Sequence, residues 1–198
     1  MPGSTSTFSL RTARLLLRPW QPDDAEAALA IYSEARVMRY LGSAGATGGS
    51  PPIADLQTMR ERMQRWFDAP ADASGLPGRL AIVEKETQLP VGTVILSRLT
   101  DGEGKPTPDV EVGWHLRPDR WGRGYATEAA RAMLAYAFEI LRLPEVYAVV
   151  YKENAPSIRV CERLGMEHLG TTDRYYGVKV ELFRLRPESE PRMNTDAR

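Results

Sequence analysis

The chain has 198 residues, of which 42% are hydrophobic and 26% are charged, values near those of an average soluble globular domain. Basic and acidic residues number 26 each, so the sequence lacks the basic surplus that is typical of nucleic-acid-binding proteins. The single cysteine excludes an internal disulfide framework, and no apolar run approaches the roughly 18 residues of a membrane span. Because the N-terminal residues lack the pattern of a signal peptide, we expect a cytoplasmic domain that binds neither nucleic acid nor membrane.

The first half of the chain predicts one strand, two helices and three further strands, in that order. The strand lies in "SLRTARLLLRPW", and a helix begins near Pro22 and is predicted to kink before it reaches Leu41. A second helix is indicated by apolar residues at helical spacing between Leu56 and Phe67. The segments "RLAIVEK", "VGTVILSR" and "VEVGWHL" then follow each other so closely that they predict an antiparallel meander.

The second half predicts a long helix that ends at Leu141, a strand at 146–151, a short helix at 154–164 and two last strands. This order indicates an α+β fold with a mixed, mostly antiparallel sheet and about four helices. We expect one domain over 9–187, a flexible N-terminus over 1–8 and a disordered tail over 188–198, where the composition is polar.

The turn between the third meander strand and the long helix contains two glycines, Gly122 and Gly124. The first amides of a helix have no partners inside it, and the helix dipole adds partial positive charge there. Glycines allow the backbone to turn several amides inward, and Arg117, Arg120 and Arg123 surround the turn. This pattern favours a binding site for a phosphate or diphosphate. The alternative is a tight turn with arginines exposed to solvent.

The sequence lacks the motifs of two common classes of phosphate-binding site, the nucleotide P-loop and the dinucleotide site. A nucleotide P-loop needs a lysine after its second glycine, and the sequence contains no such motif. A dinucleotide site needs a third glycine where this chain has Thr127, although Glu153 is placed to imitate the acid that binds the ribose. The antiparallel meander before the turn disfavours a dinucleotide fold, which begins with parallel crossovers.

Two segments, "VEVGWHLRPDRWGRGYATEA" and "NAPSIRVCERLGM", together resemble the GNAT superfamily of acetyl-CoA-dependent N-acetyltransferases. "TARLLLRPWQPDDA" and "VGTVILSR" are similar to the branch that contains the ribosomal-protein N-terminal acetyltransferases. The resemblance covers about residues 10–186. It implies a single domain whose sheet splays in the middle, acetyl-CoA as acetyl donor, and no metal.

The resemblance also implies which residues hold the cofactor. The family's phosphate loop, Q/R-x-x-G-x-G/A, falls on residues 121–126, with Trp121 in place of the usual first residue. Backbone groups of the preceding strand pair with the pantetheine arm, and an asparagine after the next strand reaches the same arm. The implied cofactor-binding residues are His115, Leu116, Arg117, Trp121, Gly122, Arg123, Gly124, Tyr125, Ala126, Thr127, Asn154 and Ser157.

Aminolysis of a thioester needs a base for the amine, and Glu111 is the first candidate. Strand alternation places Glu111, Gly113 and His115 on one face of the sheet. The resemblance implies that this face lines the cofactor cleft. A carboxylate there accepts the amine proton through a water molecule. The alternative is a surface glutamate in a strand. Glu128, in the first turn of the long helix, fits the helix dipole better than catalysis.

The acid that protonates the leaving thiolate stays open between Ser157, Cys161 and solvent. Many relatives have a tyrosine seven residues after the asparagine, and this chain has Cys161 there. A cysteine on an apolar helix face is often part of the core. Asn154 also fits the N-cap of its helix. His115 and His168 do not combine with Cys161 into a metal site.

We therefore expect an N-acetyltransferase that acts on a small-molecule or peptide amine, as a monomer or homodimer. A non-catalytic acyl-CoA sensor or interaction module is the alternative, because the usual tyrosine is missing. The sequence does not identify the amine acceptor.

Overall fold

A computed structural model describes residues 8–42, 49–69 and 74–187 of the chain. The predicted disorder of 188–198 lies outside these residues, as does the predicted flexibility of 1–8 apart from Phe8.

The described residues form eight strands and five α-helices. The strands are β1 (Leu10–Arg11), β2 (Leu15–Pro19), β3 (Gly78–Glu84), β4 (Pro90–Thr100), β5 (Pro106–Leu116), β6 (Val146–Val150), β7 (Glu167–Thr172) and β8 (Val180–Leu185). The helices are α1 (Ala25–Tyr32), α2 (Ala35–Met38), α3 (Leu56–Phe67), α4 (Tyr125–Ala135) and α5 (Ala155–Arg163). Short 3₁₀ turns cover Pro22–Asp24 and Pro118–Arg120, and a π-helical turn covers Tyr136–Ile140.

All eight strands belong to one sheet in the order β1-β2-β3-β4-β5-β6-β8-β7. The predicted meander is confirmed, because β3, β4 and β5 pair antiparallel in succession. The pair β5–β6 is parallel and is joined by the α4 crossover. The sheet is therefore mixed and mostly antiparallel, and the fold is α+β, as the sequence predicts.

Helices cover both faces of the sheet. On one face, small and apolar α4 residues such as Ala129, Ala130 and Met133 pack closely on buried β5 residues that include Val112. On the other face, the fully buried Met59 of α3 belongs to the cluster of apolar residues that forms the second core. Alternate residues of β5 point to opposite faces, so this strand contributes side chains to both.

The first strand and the long helix differ in detail from the sequence prediction, and the first helix agrees with it. The first strand is a hairpin of β1 and β2, because the amide of Leu15 bonds to the Thr12 hydroxyl at 2.9 Å and closes a tight turn. The first helix breaks after Tyr32 and resumes as α2, consistent with the predicted kink. The long helix becomes π-helical after Ala135, where the amide of Leu141 bonds to Tyr136 O at 3.1 Å.

Of the helices in the described part of the chain, none combines the length and the apolar character needed to cross a lipid bilayer.

Candidate active site

The sheet opens between β5 and β6, which pair only at Glu111 and Tyr147. Beyond this pair, β5 continues to Leu116 and is hydrogen-bonded to β4, while β6 is hydrogen-bonded to β8. At about 3.3 Å per residue, the five steps from Glu111 to Leu116 make this gap about 17 Å long. Because parallel strands end at the same edge, the N-termini of α4 and α5, which follow β5 and β6, lie at the mouth of the gap.

The segment Trp121–Thr127, which we call the glycine turn, leads into α4. Gly122 and Gly124 have φ values of 76° and 79°, a region that favours glycine. Within the described chain, the amides of residues 122–127 donate to no backbone carbonyl, and no side chain caps the helix. Several backbone donors are thus grouped at the positive end of a helix, which is the arrangement that binds an anion.

The start of the glycine turn is fixed by Trp121. Its ring nitrogen donates to Leu116 O at 2.7 Å, and the guanidinium group of Arg36 lies 5.5 Å from the ring centroid. The tryptophan that replaces the usual family residue therefore ties the turn to the end of β5.

The arginines of the turn are paired more than the sequence analysis expected. Arg117 and Arg120 each contact Asp119 at 2.7 Å. Arg120 also contacts Glu84 at 3.3 Å, and Arg123 lies 3.9 Å from the same carboxylate. These carboxylates partly neutralise the arginine charges, so the backbone amides are a second set of donors for an anion at this place.

Glu84, at the end of β3, is a buried support that the sequence analysis missed. It is 2% exposed and accepts a hydrogen bond of 2.7 Å from the Tyr125 hydroxyl and one of 2.8 Å from Thr87. The bond from Tyr125 holds the pKa of Glu84 below its usual value, with smaller contributions from Thr87 and Arg120. Glu84 therefore anchors the first residue of α4 to the sheet as a carboxylate.

A second support joins the N-terminal hairpin to α4. Glu128 accepts bonds from the Thr12 hydroxyl at 2.6 Å and from the backbone and side chain of Arg14 at 2.8 and 2.7 Å. Arg14 also donates to Arg123 O at 2.9 Å.

An open groove of about 570 Å³ lies beside these hydrogen bonds. Three arginines line it together with Thr12, Gly124, Thr127, Glu128 and Ala132. The arginines are Arg14, Arg131 and Arg163.

The three candidates on or before α5 occupy different environments. Asn154 is the N-cap of the helix, since its side chain accepts from the Ser157 amide at 3.3 Å. Ser157 is half-buried. Cys161 is fully buried in the core beside α4, and burial raises the pKa of its thiol to about 12. The thiol is therefore protonated and enclosed by apolar side chains.

Glu111 lies at the closed end of the gap, on the face that strand alternation predicts. It is partly buried, and its carboxylate accepts a hydrogen bond from the Tyr176 hydroxyl. Burial raises the pKa of Glu111 to about 7, although the bond from Tyr176 and the charge of Arg79 both act to lower it. A carboxyl group with this pKa exchanges protons readily near neutrality.

Tyr176 was not found from the sequence. It lies in the segment between β7 and β8 and has a φ of 58°, which is uncommon for a residue with a side chain. Its amide donates to Thr100 O at 3.0 Å, and this bond fixes the segment against β4. The strained backbone is held where the phenol meets Glu111.

The His115 side chain is held within the same face as Glu111. Its Nε2 lies 2.9 Å from the Tyr32 hydroxyl, which in turn lies 3.0 Å from the Thr93 hydroxyl. Burial, with the charges of Arg79 and Arg62, lowers the pKa of His115 to about 3. Its imidazole is thus neutral at physiological pH and is a poor base.

Within the described residues, no group of three or more histidine, cysteine, aspartate or glutamate side chains is arranged to hold a metal ion.

The sequence model of the acetyltransferase (GNAT) domain matches residues 14–167, which include the glycine turn, Glu111 and α5. The chain belongs to the GNAT acetyltransferase family. Among relatives of this GNAT protein is p20 of Bacillus licheniformis, described as an uncharacterized N-acetyltransferase. It is 29% identical over 175 residues, which are 88% of this chain and 91% of the relative. These similarities identify the protein as an acyltransferase.

Solved structures have the same fold. An acetyltransferase from Agrobacterium tumefaciens str. C58 is 28% identical, with a TM-score of 0.65 over 94% of this chain and 99% of that one. A ribosomal-protein-S5-alanine acetyltransferase from Vibrio fischeri has a TM-score of 0.66 at 17% identity, over 93% and 100% of the two chains. The second likeness supports the GNAT fold alone.

Proposed function

We propose that this GNAT protein transfers an acetyl group from acetyl-CoA to a primary amine by direct attack while both substrates are bound. The observation that carries the proposal is the gap between β5 and β6, which has free backbone donors at one end and Glu111 at the other. Acetyl-CoA fits this arrangement, because its diphosphate would meet the backbone donors while its thioester lies near Glu111.

The residues of the glycine turn fit the diphosphate of coenzyme A. Gly122 and Gly124 hold the backbone at positive φ, and the amides of 122–127 supply donors that need no arginine. The edge of β5 that faces away from β4, near residues 115–117, is proposed to pair with the pantetheine arm, and Asn154 and Ser157 are proposed to contact the arm from α5. The arginine-lined groove beside Gly124 suits the phosphorylated nucleotide end.

Glu111 is proposed as the base. Bound acetyl-CoA supplies the thioester carbonyl that the amine nitrogen attacks, so that a C–N bond forms and the C–S bond breaks. Glu111 accepts the proton that the amine loses, directly or through one water molecule, and Tyr176 stabilises its ionised form. An amine with a pKa near 8 loses this proton more readily than a lysine side chain.

The proton for the leaving thiolate is proposed to come from Ser157 or from solvent. Cys161 is enclosed in the core, so we assign it to packing. Ser157 is half-buried in the first turn of α5, so its hydroxyl is not enclosed in the core as Cys161 is.

Release of free coenzyme A with a panel of amines tests the proposal. We expect release that depends on both acetyl-CoA and an amine, with the acetylated amine identified by mass spectrometry. Binding of acetyl-CoA without release for any amine class would contradict catalysis and favour the sensor alternative.

A further inference from the structure

Two arginines lie on the same side of the sheet as Glu111, and each contacts an aromatic ring. Arg62 of α3 lies 5.3 Å from the ring centroid of Tyr32, and Arg79 of β3 lies 4.8 Å from that of Trp66. The two rings are themselves 5.4 Å apart. The arginines therefore flank one pair of aromatic rings.

The sheet register places Arg79 beside the candidate base. Arg79 is opposite Ile95, and Ile95 is opposite Gly113, so these three residues form one row across β3, β4 and β5. Residues in such a row point to the same face, which is also the face of Glu111, two residues from Gly113. Two strand spacings separate the backbones of Arg79 and Gly113 by about 10 Å. Ile95 lies between Arg79 and Gly113 in this row, and its side chain is the nearest neighbour of a Cβ built on Gly113, at 3.8 Å.

Positive charges lie beside Arg62, and Arg79 also interacts with the carboxyl group of Glu111. Arg62 is partly buried, and burial lowers its pKa together with the neighbouring charges of Arg79 and Arg65. Tyr32, whose pKa burial raises, is a neutral phenol at physiological pH. Throughout residues 8–42, 49–69 and 74–187, neither Arg62 nor Arg79 forms an ion pair or a side-chain hydrogen bond. Contact with a ring leaves the N–H donors of a guanidinium group available.

We propose that the acceptor amine carries an anionic group, a carboxylate or a phosphate, which Arg62 and Arg79 bind while its amino group lies against Glu111. This inference rests on the proposed acetyltransferase function and names its substrate class. Arginine matches either anion through its planar set of donors. The same charges disfavour a polycationic amine, which would bring like charges together.

Three dipeptide amides test the inference: Ser-Asp, Ser-Asn and Ser-phosphoserine. They share the same α-amine, so differences in kcat/KM between them measure the effect of the second side chain. Because charged hydrogen bonds are lost with asparagine, the wild-type protein should acetylate Ser-Asp or Ser-phosphoserine at least about tenfold more efficiently than Ser-Asn. The better of the two anionic peptides identifies the preferred anion. Spermidine serves as the cationic arm and should be the poorest acceptor.

The variants R62Q and R79Q should each reduce this preference, and the double variant should bring it to about twofold or less. R79K should restore part of it. R60Q, on the exposed side of α3, is the matched control and should keep the wild-type ratio. Using the ratio within each variant cancels any effect of Arg79 on the base, and acetyl-CoA affinity by calorimetry shows that each variant is folded. R62Q alone tests the inference if R79Q does not fold.

Efficient acetylation with no preference, or with a preference for Ser-Asn or spermidine, overturns this inference and leaves the proposed function standing. A preference that survives in the double variant also overturns it. Absence of coenzyme A release with these four amines, when other amines of the panel are acetylated, also overturns this inference, whereas absence of release with every amine class contradicts the proposed function itself.

Discussion

The two ends of the gap are built in different ways. The glycine turn, Trp121–Thr127, is made of consecutive residues, and the diphosphate binding that we propose for it depends on backbone amides and glycine φ angles. The opposite end joins Glu111 of β5, Tyr176 from beyond β7 and Arg79 of β3, which the fold alone brings together. A local motif therefore holds the cofactor in our account, and a tertiary cluster performs the chemistry. Substitutions at the two ends should separate binding from turnover.

Replacement of Glu111 by glutamine should have the largest effect on turnover. We expect kcat at pH 7 to fall about hundredfold or more, because a positioned base contributes a factor of this order. Acetyl-CoA affinity should stay near the wild-type value, which calorimetry can measure. Glu139→Gln, an exposed site, is the matched control. Unchanged kcat would remove Glu111 from the mechanism.

The same substitution should change stability in a pH-dependent way. Glu111 has a folded pKa of about 7, raised from 4.5, so its ionisation destabilises the folded state as the pH rises through this window. Glu111→Gln should therefore be more stable than wild type at pH 8, by about 1–3 kcal/mol, and show no gain at pH 4. Thermal unfolding at the two pH values measures this. Equal differences at both would show that the carboxyl group titrates normally.

Tyr176→Phe should have an intermediate effect. Loss of the hydrogen bond that favours the carboxylate raises the pKa of Glu111 further, so the kcat/KM profile should shift to higher pH. We expect a roughly tenfold loss at pH 7 that recovers partly in more alkaline buffer. Tyr175→Phe removes a comparable bond of 2.8 Å to Asp109 in the same segment and should leave the profile in place. Superimposable profiles for wild type and Tyr176→Phe would contradict the role of the phenol.

Cys161→Ala should have the smallest effect on turnover. The thiol is fully buried, so we expect less than about a tenfold change in kcat and a modest loss of thermal stability. Ser157→Ala, measured in parallel, should affect kcat more if the hydroxyl supplies the leaving-group proton. A hundredfold loss for Cys161→Ala alone would identify the cysteine as the acid instead.

The glycine turn and the face of Glu111 could be predicted because their signals are local. Two glycines before a helix indicate unpaired amides, and alternation along β5 decides which residues share a face. The order of the meander followed from short connections for the same reason.

Glu84, Tyr176 and Arg79 could not be predicted because their partners are distant in the sequence. The bond from Tyr125 to Glu84 spans 41 residues and the bond from Tyr176 to Glu111 spans 65. The segment "RLAIVEK" does not indicate that Glu84 is buried, and no local pattern predicts that Tyr176 has a positive φ. Only the register of β3, β4 and β5 shows that Arg79 lies in one row with Gly113.

Titration calorimetry of acetyl-CoA into wild type and Gly124→Val tests the central claim most directly. Valine at a φ of 79° strains the turn and places a branched side chain where the amides converge, while a Cβ there lies 3.5 Å from the flexible Arg14 side chain. Gly170→Val, at a φ of 95° in β7, has comparable strain away from the turn and is the control. We predict wild-type affinity for the control and a loss of about a hundredfold or more for Gly124→Val. Undiminished binding by a folded Gly124→Val protein would contradict the claim that the glycine turn holds the diphosphate.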